Sequence, residues 1–185
     1  MSTDDPPELS PPEEELSFEE QAQVEVIRSG QDAVVVPAEL LKESPDSAKS
    51  QSMAELIRAM KGPQKIKLAM FGNRTVRSLL IRDSIRQIPL FVLQNAKLTE
   101  DEVAEFSRNS NLDESVLREI ANNPQWMKSY QIKLNIVSNP RVPLDLSLRW
   151  LKFIQERDLR ILSRSKNVPS VIANQSRKLL EKREK

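Results

Sequence analysis

The sequence contains no cysteine and no histidine. Disulfides, thiolate nucleophiles, zinc fingers and any Ser-His-Asp triad are thereby excluded. Glycine is nearly missing as well, with 3 residues against 12 prolines. Phosphate-cradling loops, doubly wound sheets and β-sandwiches use glycine for tight turns and close backbone approach. Its scarcity directs this chain toward helices joined at proline-marked corners. Long apolar runs are also absent. "IPLFVL" at 88–93 is among the longest, far short of the ~20 residues a spanning helix needs. The opening "MSTDDPPELS" is acidic and polar, unlike a secretory or mitochondrial leader. The expectation is a soluble, cytoplasmic protein with no membrane partner.

What is present is a hydrophobic fraction of 38% over 185 residues, room for one domain and an appendage. The net charge of +1 conceals an asymmetry. Residues 1–50 carry 13 acidic and 3 basic side chains, while residues 51–185 carry 14 and 25. Opposite halves of this kind bear on partners, and on each other.

Residues 1–50 are rich in Pro, Glu and Ser with no sustained apolar period, as in "DDPPELSPPEEELSFEE". Such a segment buries too little to offset its ordering entropy, so a disordered acidic arm is expected. One interruption, "QVEVIRSGQDAVVVPAELL" at 23–41, has the apolar content to form a strand or helix against a partner. Residues 51–185 read as a helical repeat domain. "MAELIRAMKG" places Met53, Leu56, Ile57 and Met60 at helical spacing and reads as ending at Gly62. "PQKIKLAMFG" starts with Pro63 and stops at Gly72, and "NRTVRSLLIRD" follows. Helices this short are marginal alone and must stack on neighbours.

The segments align on asparagine. "NAKLTEDEVAEFSR", "NSNLDESVLREIAN", "NPQWMKSYQIKLNIVS" and "NPRVPLDLSLRWLK" begin at Asn95, Asn109, Asn123 and Asn139, spaced 14, 14 and 16 residues apart. The fourth residue of each is apolar: Leu98, Leu112, Trp126 and Val142. So is the third before the next Asn: Val92, Phe106, Ile120 and Ile136. "KNVPSVIANQSRKLL" restates the corner, with Val168 and Pro169 echoing Val142 and Pro143. Each unit is a turn plus a helix, and two make a hairpin of about 28 residues, near the range of stacked-helix repeats. Thr99 with Glu102 fits a capping box, and Asp113 and Pro143 stand where caps or first turns belong. Trp126 and Trp150 fall in core slots of this register. Tyr130 is left needing a partner for its hydroxyl. The polar "SRKLLEKREK" reads as a terminal cap and points to a monomer.

The "N-P-x-apolar-P" corners resemble leucine-rich-repeat-variant and HEAT-like α-solenoid proteins. "GNRTVRSLLIRD", "NNPQWMKSYQIKLNIVSNPRVPL" and "RDLRILSRSKNVPSVI" are similar to a family of uncharacterised bacterial helical-repeat proteins, over roughly residues 53–182. The resemblance implies an all-α solenoid of short helices and attaches no reaction to any residue. Some HEAT-like proteins hold DNA in a basic groove, and a few are base-excision glycosylases. An enzyme of that kind would need Trp126 or Trp150 exposed beside a carboxylate.

No Walker motif, dinucleotide loop or zinc signature occurs. Glu100, Asp101, Glu102 and Glu105 sit at an expected helix start, where the macrodipole accounts for them without metal or catalysis. Asp83, Asp113, Asp145 and Asp158 fall near helix ends, where capping accounts for them. No catalytic, metal or cofactor site is expected. The basic excess is the stronger signal. Arg157, Arg160 and Arg164 share a helix face, with Arg149 and Lys152 before them and Lys166 after. Arg74, Arg77, Arg82 and Arg86 form a second group. Two ligands fit a stripe of Arg149, Lys152, Arg157, Arg160, Arg164, Arg74 and Arg77. One is an acidic protein segment, including this chain's own arm. The other is nucleic-acid phosphate. The bland reading is a solvated face with scattered ion pairs. A non-enzymatic scaffold or adaptor, with the arm recruiting a partner or folding back, is the leading expectation; nucleic-acid binding is the alternative.

Overall fold

A computed structural model of the chain describes residues 15–43 and 50–183. Among these residues the regular structure is helical, with no β-strand. The helices are α1 (Phe18–Arg28), α2 (Ser50–Arg58), α3 (Gly62–Phe71), α4 (Arg74–Leu80), α5 (Gln87–Val92), α6 (Glu100–Arg108), α7 (Glu114–Asn122), α8 (Tyr130–Ser138), α9 (Leu144–Leu151), α10 (Glu156–Leu162) and α11 (Ser170–Arg183). Short 3-10 turns lie at Ala38–Leu40 and Trp126–Lys128. Helices two apart pack together: α1 on α3, α3 on α5, α5 on α7, α6 on α8 and α9 on α11. Sequential pairs such as α8 with α9 and α10 with α11 close the second layer of contacts.

The expectation of an unpacked arm reaching residue 50 is corrected for residues 15–43. Leu16, Ile27 and Leu40 are fully enclosed in the main core, with Val24, Val34 and Val36 packed against it. The apolar cluster read from 23–41 thus docks on the chain's own α3. Ser17 and Glu20 form a complete capping box that starts α1, and Gly30, at φ 72°, turns the chain after it ends. Asp32 then pairs with Lys67 of α3 at 2.8 Å, and Lys67 also donates to the Val34 carbonyl. The Asn73 carboxamide donates to the carbonyls of Glu39 and Lys42. Polar anchors and three enclosed side chains together outweigh the poor periodicity that the segment shows by itself. The remainder of the expected arm, residues 1–14 and 44–49, lies outside the described residues.

A second correction concerns Gly62, which opens α3 rather than ending α2. Its buried backbone lies so close to the Glu20 carboxylate of α1 that a Cβ would stand 1.8 Å from the oxygen. The glycine is there for a helix crossing, not for a stop.

The asparagine corners are real turns. The side-chain oxygens of Asn95, Asn109, Asn123 and Asn139 each accept the backbone N–H two residues on, at Lys97, Asn111, Gln125 and Arg141. This is the local bond that favours Asn in such turns. The apolar residue that follows is buried at Leu112 and Val142 and half-buried at Leu98 and Trp126. Asn95 and Asn139 do more. Their carboxamides donate to Ala69 and Gly72 at the end of α3, and to Ser107 and Asn109 at the end of α6. Each joins a helix C-terminus to the corner two helices later and satisfies carbonyls the helix cannot.

Two hydrophobic clusters result. The larger runs from Leu16 to Leu146, and the smaller gathers Val137, Leu151, Ile154, Leu159, Leu162 and Ile172. Trp150 touches both.

Candidate partner-binding surface

The basic stripe does not assemble as one surface. Arg77 is 2% exposed and faces inward. Its Nε and Nη2 donate to both carboxylate oxygens of Glu102, at 2.9 and 2.8 Å, and its Nη1 donates to Glu43 at 2.7 Å and to the Gly72 carbonyl. Arg77 is therefore removed from the candidate binding residues. A guanidinium with all its directions occupied by two carboxylates and a carbonyl is a structural clamp. Burial works against its charge, but its hydrogen bonds to Glu102 and Glu43 win and hold its pKa above the ordinary value. Glu102 likewise turns inward while Glu100, Asp101 and Glu105 stay exposed. Burial pushes the Glu102 carboxyl up; Arg77 and the Thr99 cap outweigh it and hold it low. Arg74, on the same helix, stays exposed and lies 3.8 Å from Glu105.

The remaining five residues lie on or beside α9 and α10, all exposed. Arg149 donates to the Asn122 side chain at 3.2 Å, and the Lys152 ammonium stands 5.2 Å over the Phe153 ring. Arg157 extends into solvent 3.6 Å from Asp158. Arg160 and Arg164 occupy the outer side of α10 and the turn after it. What the sequence pattern did not reveal is the apolar surface among them. Leu144, Leu148 and Phe153 are 39%, 36% and 53% exposed, and Ile161 on α10 is 61% exposed. "LSLRWLKFI" reads as an apolar wrap facing the core, yet only Leu146, Leu151 and Ile154 are enclosed. The excess of apolar residues over the single stripe that a surface helix buries was the available signal.

Trp126 and Trp150 are both half-buried rather than enclosed. The Trp150 indole donates to the Ala121 carbonyl at the end of α7, 3.0 Å away, and its ring leans on Phe153 at 5.6 Å. Tyr130, at the start of α8, finds its partner in Asp158: the phenol donates to the carboxylate and accepts from the Gln155 N–H. Burial and the Asp158 bond raise the phenol's pKa, keeping it a donor. Asp158 is accordingly an interhelix acceptor, not a cap. Beside it, α8 and α10 part to leave a cleft of about 630 Å³, walled by Leu134, Ser138, Asp158, Ile161 and Leu162 with Arg108 at the rim.

No group of three or more acidic side chains among the described residues is arranged to hold a metal ion. No described helix is long and apolar enough to cross a membrane. No protein family, curated protein or solved structure matches the chain.

Proposed function

We propose that this chain is a non-enzymatic helical-repeat scaffold, solenoid-like in its two-apart helix packing, which binds an acidic amphipathic segment of a partner protein on α9 and its C-terminal turn. The observation that carries this reading is the coincidence of exposed Leu144, Leu148 and Phe153 with Arg149 and Lys152 on one short stretch. Apolar side chains of that size, flanked by two cations against the single acid Asp145, suit a helix that carries leucines on one face and carboxylates at its edge. The chain's own α1 illustrates the chemistry: "FEEQAQVEVIR" buries Ile27 in the core beside α3 while Glu19 and Glu25 stay exposed. Resemblance to HEAT-like and leucine-rich-repeat-variant proteins fits the same role. Nucleic-acid binding loses support with Arg77, whose charge is consumed by Glu102 and Glu43.

The test uses the full chain, because removing residues 1–50 would strip Leu16, Ile27 and Leu40 from the core. Fluorescence anisotropy is measured with a labelled acidic amphipathic helical peptide and, separately, a labelled DNA duplex over a salt series. Peptide binding that weakens at least about fivefold in Phe153→Glu supports the reading. Duplex binding with a steep salt slope, unaffected by Phe153→Glu, would replace it with the nucleic-acid alternative.

A further inference from the structure

A second cleft opens where α2, α3 and the turn after α4 meet. Arg58 closes α2, Lys65 lies on α3, and Arg82 and Asp83 stand in the turn. All four residues line the cavity, together with Ser78 of α4. Its volume is about 530 Å³, within the ~300–1,000 Å³ of small-molecule sites. Three cations share its wall with one carboxylate.

The hydrogen-bonding groups of this wall are unevenly used. Lys65 is 8% exposed, and its ammonium stands 2.8 Å from Asp83 Oδ2. The other Asp83 oxygen accepts the Ile85 N–H, so both carboxylate oxygens are engaged. The ammonium has three N–H groups and finds no acceptor beyond Asp83 among the described residues. Arg58 and Arg82 are exposed and have no hydrogen-bond or ion-pair partner among the described residues. The half-buried Ser78 hydroxyl has none either. Glu55, one turn before Arg58, is exposed and does not line the cleft. A cation in the last turn of α2 suits the helix dipole by itself. That account does not reach an enclosed ammonium with spare donors, nor the gathering of Arg58, Lys65, Ser78 and Arg82 on one cavity.

We propose that this cleft binds a phosphate monoester, its head held by Arg58, Arg82, the spare donors of Lys65 and the Ser78 hydroxyl. Charge selects the ligand. Lys65 and Asp83 cancel, which leaves the two arginines uncompensated. A phosphate monoester brings about −1.5 to −2 charge at pH 7 and three acceptor oxygens. A carboxylate or a phosphodiester brings a single charge. Guanidinium forks and a lysine point charge both suit phosphate oxygens. The cavity exceeds what a phosphate head fills, and Ala54 and Leu79 in its wall offer apolar surface to the esterified group. This site shares no residue with the α9 face and does not depend on it.

The probes are glycerol 2-phosphate and the capped tripeptide acetyl-Gly-phosphoserine-Gly-amide. Each is titrated at constant ionic strength into the 15N-labelled full chain while the amide shifts of Arg58, Lys65, Ser78 and Ser84 are followed. The Ser and Glu tripeptides are run alongside. Saturable shifts with a phosphate ester are expected, at least about fivefold weaker with glutamate and absent with serine. Tighter binding of the phosphopeptide makes a phosphorylated polypeptide the source; tighter or equal binding of glycerol 2-phosphate makes it a small phosphorylated molecule. Both support the site. Arg58→Gln and Arg82→Gln, on exposed side chains, should each weaken binding at least about fivefold with the spectrum otherwise kept. Arg108→Gln, an exposed arginine outside this cleft, should leave it unchanged. The proposal is overturned by no saturable shifts with either ester, by glutamate binding equally well, by binding that persists unchanged in Arg58→Gln and Arg82→Gln, or by an equal loss in all three arginine variants.

Discussion

Arg77 ties together three parts of the chain that sequence spacing keeps apart. Its partners are Glu43 from the segment before α2, Gly72 at the end of α3, and Glu102 in the first turn of α6. Glu102 is 1% exposed, so Arg77→Ala would strand a carboxylate that already closes the Thr99 capping box. Breaking a buried pair on one side typically costs about 3–5 kcal/mol, and a loss of that size is expected in the urea midpoint of Arg77→Ala. Acid should act on the same contacts. The Lys67 hydrogen bond holds Asp32 below its ordinary pKa. At Glu43 burial raises the pKa, but the bonds from Arg77 and the Arg74 N–H bring it below the usual value. For carboxyls depressed in the folded state, the unfolded chain binds more protons at low pH. Their stabilisation is thus complete above the unfolded pKa, near ~4, and is lost as pH falls through the folded values. Urea midpoints taken from pH 7 down to pH 3 should drop across that window. The drop should be shallower in Arg77→Ala, where Glu43 and Glu102 are no longer held low. An equally steep drop would remove Arg77 as its cause.

At the scale of helices and corners, the sequence was most informative where one local bond decides the outcome. Asn95, Asn109, Asn123 and Asn139 could be read as corners because an Asx turn involves only the next two residues. Thr99 and Asp113 could be read as caps for the same reason. The long-range use of those side chains was not legible. Nothing in a spacing of 14 residues tells that Asn95 and Asn139 reach back to earlier helix ends while Asn109 makes only its turn. The arm failed differently. Residues 15–43 have weak periodicity, and their burial depends on α3 presenting Ile66 and Lys67 to receive them. The candidate site suffered from the same blindness: Arg77 and Arg74 look alike in a charge count, and only tertiary packing turns one inward. Two consequences can be measured. Ile27→Ala should lower stability by about 2–4 kcal/mol, because α1 belongs to the continuous core and its cavity cannot collapse onto solvent. If α1 were a loosely tethered arm, the midpoint would scarcely move. Asn139→Ala removes a turn bond and two donations to the end of α6. A loss of about 2 kcal/mol is expected, with faster amide exchange at the corner around Arg141.

The whole molecule is two cores in series rather than one. The larger holds the N-terminal segment through α9, the smaller holds α10 and α11 against the ends of α8 and α9, and Trp150 is the large side chain in contact with both. Its indole N–H adds a polar tie to Ala121 at the end of α7. In a chain whose helices contact mainly neighbours one and two positions away, stability is close to a sum of local and interface terms. Cooperativity then depends on how well adjacent units are coupled. Trp150→Ala removes the ring shared by both clusters and leaves the Ala121 carbonyl without its donor. The expected result is not merely a lower midpoint but a split transition, in which residues 153–183 open before residues 15–128. Native-state hydrogen exchange resolves this directly: amides of α10 and α11 should lose protection at denaturant concentrations that leave α3, α6 and α7 untouched. Trp150→Phe keeps most of the ring and discards the hydrogen bond, so it separates packing from the polar tie. If both variants unfold in one step with uniform loss of protection, the two clusters form a single cooperative unit, and the coupling resides in the α8–α9 contact instead of Trp150. A split transition in the alanine variant alone would place the coupling in the indole's apolar surface.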